Sequence, residues 1–138
     1  MGTVIRPEIS EKNKYWISKH RYYELKHFCL QYREWKKEYV SIMNGLIPSC
    51  RIGESTRNSG YTNGTCEKAV LLEDYSNKIQ LVEQCAYATD EYLYQYILKG
   101  VTENYTYEYL HTRMGIPCCR DTYYARYRKF FWILNKYR

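Results

Sequence analysis

The chain has 138 residues, 45% of them hydrophobic and 17% aromatic, with 18 tyrosines and a net charge of +6. That composition excludes a disordered polar chain and fits one domain, or a small domain with an extended arm. No window approaches the roughly 20 apolar residues that span a bilayer, and the opening MGTVIRPEISEKNK lacks the apolar core of a secretory signal, so a cytoplasmic protein with no membrane partner is expected.

Between about Lys12 and Met43 there is neither Gly nor Pro, and Leu25, Phe28, Tyr32, Trp35, Tyr39 and Ile42 recur at alternating steps of three and four. This heptad seam predicts one long helix, stopped by Asn44-Gly45. The stretch 44–65 is rich in Gly, Ser, Asn and Thr and reads as a flexible loop. Thr65 is a candidate cap for a second helix, whose seam is Leu72, Tyr75, Ile79, Val82 and Ala86. Two matching seams joined by one loop predict an antiparallel hairpin over residues 1–88, serving to position the rest of the chain or to form a homo-oligomer.

Residues 89–138 read as shorter helices. One starts at Thr89 or Asp90, with Gly100 as its left-handed stop; the next is capped by Thr106, carries Tyr107, Leu110 and Met114 on one face, and ends at Gly115. After Ile116 and Pro117 a last helix begins near Cys118 or Cys119, with Tyr124, Tyr127, Phe131 and Leu134 as its core face. The expected fold is therefore all-α, a long N-terminal helical hairpin followed by a C-terminal helix-turn-helix.

Charge is distributed unevenly along this plan. Residues 11–38 carry eight bases and four acids, residues 54–108 four bases and nine acids, and residues 113–138 seven bases with Asp121 as the single acid. The last segment thus equals the whole net charge, an asymmetry expected of a nucleic-acid surface. In a helix-turn-helix, Gly115 would permit the turn, Ile116 would fill the angle between the helices, and the first turns of the last helix would enter a groove. Arg120, Thr122, Tyr123 and Arg126 are then the candidate base contacts, and Arg113, Arg128, Lys129 and Lys136 the candidate phosphate contacts of double-stranded DNA.

Catalysis finds no support in the pattern. The only histidines are His20, His27 and His111, and there is no His-Glu-x-x-His, nucleophile elbow or Gly-rich phosphate loop. The acidic neighbours Glu73-Asp74 and Asp90-Glu91 are successive residues that point in different directions, so neither pair is a ready dyad. Six cysteines, Cys29, Cys50, Cys66, Cys85, Cys118 and Cys119, include no CxxC pair and read mostly as small apolar residues. No enzyme activity, metal or cofactor is expected.

The closing run ILKGVTENYTYEYLHTRMGIPCCRDTYYARYRKFFWILNKYR resembles the C-terminal part of phage and prophage transcriptional regulators of the RinA and ArpU type, which are similar in turn to the region-four helix-turn-helix of sigma factors. The likeness rests on YEYL, the turn GIP and the aromatic-basic DTYYARYRKFFWIL, and covers about Tyr92 to Arg138. It implies a promoter-binding regulator in a bacterial host cell, with RNA polymerase as a further partner. Two other expectations fit the residues: a ring-forming, DNA-binding small subunit of a phage packaging machine, and an inhibitor that binds a protein and has no DNA affinity.

Overall fold

The computed structural model describes residues 14–46 and 60–138, with side chains described at 14–45 and 66–138. Among these residues the chain is helical and contains no strand, as the all-α expectation required. No described helix is long and apolar enough to cross a membrane.

The first seam is carried by two helices, α1 (Lys19–Leu30) and α2 (Tyr32–Leu46), in place of the single helix expected. They meet at Gln31, whose N–H turns back to the Phe28 carbonyl three residues away, a local tightening of the helical turn. The hydrophobic pattern passes through this joint: Leu25, Phe28, Tyr32 and Trp35 are all buried. Asn44-Gly45 does not stop α2, which runs through Leu46. Nor does Thr65 cap the second seam's helix, because α3 (Gly60–Thr89) is already helical five residues earlier. Of the loop expected at 44–65, residues 44–46 and 60–65 are helical, and residues 47–59 lie outside the described ones.

The helix α4 (Tyr94–Glu103) follows a turn held by Asp90, whose Oδ1 accepts the N–H groups of Tyr92 and Leu93 at 2.9 and 3.1 Å. Gly100 is buried within this helix and is not its stop. Asn104 takes the left-handed conformation instead, at φ 60°, a region that Asn enters more readily than most side chains. Thr106 then caps α5 (Tyr107–Tyr109), its side chain accepting the Tyr109 N–H at 3.2 Å. A wider, π-type turn continues α5 over Leu110–Met114 and ends at Gly115, φ 67°, as expected. The last helix is α6 (Arg120–Tyr137).

Two compact units divide the chain inside α2 and α3: the residues up to Tyr32 together with Leu81–Arg138, and Arg33–Gln80. In the first, α1 and α4 pack on each other and on α6, and α4 also packs on the π-type turn. Its centre is aromatic and dry, with Leu25, Ile97, Leu110, Tyr123, Phe130 and Leu134 completely buried. The second unit is built from the seam, with Lys78 lying 5.7 Å over the Trp35 ring. Beyond Trp35 it is less well covered: Tyr39, Ile42, Leu72, Tyr75 and Ile79 are only half-buried, and Val40, Met43, Val70 and Leu71 are exposed.

Candidate nucleic-acid interface

Everything basic that the sequence singles out lies on α6 or just before it, so the phase of α6 decides what its charges can reach. The buried positions are Tyr123, Tyr127, Phe130, Phe131, Ile133 and Leu134. Steps of four, three and four from Tyr123 to Leu134 describe this face better than the expected start at Tyr124, which lies only half-buried at the rim. Tyr123 is therefore not a base contact. It is completely buried against Gly100 of α4, where any Cβ would collide with the Tyr123 hydroxyl. The lack of a side chain at Gly100 is what admits the ring, and it leaves the hydroxyl buried with no hydrogen-bond partner.

Other tyrosines hold α6 through their hydroxyls. Tyr22 of α1 and Tyr127 share a buried hydrogen bond of 2.9 Å, and burial raises both phenols above their ordinary range, that of Tyr127 well above it. Tyr22 also stands edge-on to Phe131 at 5.1 Å. At the turn, the Tyr107 hydroxyl donates to the Cys118 carbonyl at 2.6 Å, while the Tyr124 hydroxyl accepts the Tyr107 N–H at 3.2 Å. With Ile116 buried below and Gly115 left-handed above, α5, the turn and α6 are fastened at several points.

Two of the four candidate base contacts are engaged in ion pairs. Arg126 donates from Nε to Asp90 Oδ2 at 2.9 Å, and that carboxylate is 16% exposed. Burial raises the Asp90 carboxyl, but the Arg126 guanidinium and two backbone N–H donors outweigh it, so the group rests below its ordinary range. Asp90 thus caps the turn into α4 with one oxygen and ties down α6 with the other. Arg120 pairs with Glu108 at 2.6 Å, both largely exposed, and lies 5.8 Å from the Tyr124 ring. Such a pair in water is worth at most about 1 kcal/mol and opens readily. Thr122 is half-buried, its hydroxyl 3.2 Å from Cys119 Sγ. Hydrogen bonds from Thr122 and the Asp121 backbone hold the exposed Cys119 thiol below its ordinary range, whereas burial pushes the Cys118 thiol up.

The candidate phosphate contacts divide differently. Arg113 is exposed, Arg128 and Lys129 are half-exposed, and among the described residues none of the three is paired with an acid. Lys136 lies 3.6 Å over the Trp132 ring, which makes an edge-type contact with Tyr15 at a centroid distance of 5.3 Å. From Thr122 to Arg138 the sequence contains no acid. Sequence reasoning missed the Asp90–Arg126 pair, which joins residues 36 apart, and the packing of Tyr15 on Trp132. The pairing of Tyr123 with Gly100 did leave a trace, an interior helical glycine upstream of a helix with one tyrosine too many for its predicted face. Among the described residues no cluster of His, Cys, Asp and Glu could hold a metal ion. No protein-family model, curated protein or solved structure matches the chain.

Proposed function

We propose that the protein is a DNA-binding transcriptional regulator of the phage or prophage type that its C-terminal run resembles, acting through a helix-turn-helix made by α5, Gly115-Ile116-Pro117 and α6. The observation that carries this reading is the outer side of α6, acid-free from Thr122 onward, with Arg128 and Lys129 unpaired among the described residues, behind a left-handed Gly115 and a buried Ile116. Unpaired cations held on a rigid helix release counterions when they meet phosphates, which favours a polyanion. Arg113, Arg128 and Lys129 are the phosphate contacts in this proposal. Thr122 contacts a base edge, as does Arg120 once it leaves Glu108. Arg126 serves to orient α6 through Asp90, and Tyr123 to seat it on α4.

The helices α2 and α3 form the oligomerising hairpin of the proposal. Trp35 of α2 meets Lys78 of α3, and Tyr32 at the start of α2 donates to Glu83 farther along α3, an order that an antiparallel pair produces. The partly covered seam beyond Trp35 also suits the ring-forming packaging subunit, the second reading. Light scattering separates them: a closed ring of many copies favours packaging, a monomer or dimer the regulator.

Selection of bound duplexes from a random pool, followed by Thr122→Ala and Arg128→Ala with Lys129→Ala, tests the assignment. The first variant should relax base preference at one position, while the second should weaken all sequences alike and flatten the salt dependence by about 0.9 per lost phosphate contact. Loss of neither preference nor salt dependence would end the α6 assignment.

A further inference from the structure

The C-terminal half of α6 carries an aromatic ring, Trp132, that duplex binding does not use, set among cations that duplex binding shares. Lys14 lies 5.0 Å over the Tyr15 ring, Tyr15 stands edge-on to Trp132, and Lys136 covers a face of the indole. Arg128 and Lys129 sit one turn before Trp132 and Lys136 one turn after it, so three cations of α6 surround one ring on the outward side of the helix. We infer that this ridge, Lys14, Tyr15, Arg128, Lys129, Trp132 and Lys136, is a binding surface for an unpaired nucleic-acid strand.

The chemistry separates this occupant from the alternatives. A paired base shows a groove-binding helix only its edge, which an indole cannot read. An unpaired base offers its flat face, and stacking on an aromatic ring flanked by cations is how sequence-tolerant single-strand surfaces work. A membrane-binding helix needs exposed aliphatic or aromatic side chains that enter the acyl region. Here Ile133 and Leu134 are buried and the two rings of the ridge are half-buried, so the exposed aromatics beside it are Trp16 and Tyr137, with no exposed aliphatic partner on α6. Lys136, now over the indole, would move to a phosphate as a base takes its place. This inference goes beyond the regulator reading and does not depend on it.

The test measures anisotropy of a labelled oligothymidine and a labelled duplex of matched phosphate number, at low salt, with the full chain. Trp132→Leu, Trp132→Phe and Tyr15→Leu are compared with the parent, with helicity of each checked by circular dichroism. Trp132→Leu should weaken oligothymidine binding about 5- to 100-fold, and Trp132→Phe, which keeps a ring, should restore most of it. Duplex affinity should change by less than about threefold in either variant, because the ring makes no stacking contact with paired bases. Tyr15→Leu should fall between the two tryptophan variants for oligothymidine. Absence of oligothymidine binding, equal losses for the leucine and phenylalanine variants, or parallel losses on duplex and single strand would each overturn the inference. So would binding of Trp132 to phosphatidylserine vesicles without binding to oligothymidine. Ring-dependent binding of oligothymidine with no duplex affinity would uphold this surface while ending the regulator proposal, so the two fail separately.

Discussion

The seam in the unit formed by Arg33–Gln80 and the core face of α6 are written in the same code, large apolar residues at steps of three and four, yet they are covered to very different degrees. Tyr123, Phe130, Phe131 and Leu134 are within 1% of complete burial, whereas Tyr39, Ile42, Leu72, Tyr75 and Ile79 stay half-open. The difference lies in what stands opposite. The face of α6 meets both α1 and α4, including a glycine that lets a tyrosine come close, and its rim is fastened by tyrosine hydroxyls and an arginine pair. Periodicity locates the face a helix will hide; only its neighbours decide how well it is hidden.

The comparison can be broken first by truncating one residue on each face. Phe130→Ala should lose about 3–5 kcal/mol of stability, and Ile42→Ala about 1 kcal/mol, measured by urea denaturation of the full chain. Similar losses at the two positions would mean that the α2–α3 seam is as closed as the α6 core.

Next in size is the contact of α4 with α6. Gly100→Ala should destabilise by about 1–3 kcal/mol through overpacking, even though alanine is the better helix former. Tyr123→Phe should be neutral or stabilising by about 1 kcal/mol, since the hydroxyl it removes is buried without a partner. Together the two changes should cost less than the sum of their separate effects; strict additivity would show that the ring and the glycine are not in contact.

A smaller effect distinguishes the two arginine pairs. Because the Asp90 carboxyl is held below its unfolded value, its contribution is present in full above the unfolded pKa of about 3.9 and is lost as pH falls through the lower folded value. Asp90→Asn should therefore flatten the acid limb of the stability curve below about pH 4. Glu108→Gln, at an exposed pair, should shift stability by less than about 1 kcal/mol. An unchanged acid limb in Asp90→Asn would place the two pairs on the same footing.

How much of this was legible in the sequence depends on the range of the signal. Local chemistry was readable in part: Thr106 as a cap, Gly115 as the end of its helix and Ile116 as a buried residue of the turn, whereas the left-handed stop expected at Gly100 falls at Asn104. Boundaries were less so, because the Gly- and Ser-rich composition around 44–65 hid the ends of two helices. Of the core face expected for α6, Tyr127, Phe131 and Leu134 are buried and only its start differs, Tyr123 taking the place of Tyr124 where Gly100 of α4 makes room for the ring. Long-range pairs were invisible. Asp90 reads as a helix start and Arg126 as a base contact until the fold brings them together, and Tyr15 carries no mark that it will meet Trp132.

The central claim is that the outer side of α6, acid-free from Thr122 onward, is a nucleic-acid surface. It is tested most directly by titrating a mixed-sequence duplex at several salt concentrations and taking the slope of log affinity against log salt. Each neutralised phosphate contributes about −0.9, so engagement of Arg113, Arg128 and Lys129 predicts a slope of about −3 or steeper, falling by about 2 when Arg128 and Lys129 are both replaced by alanine. No duplex binding at low salt, or a slope that the double replacement leaves unchanged, would contradict it.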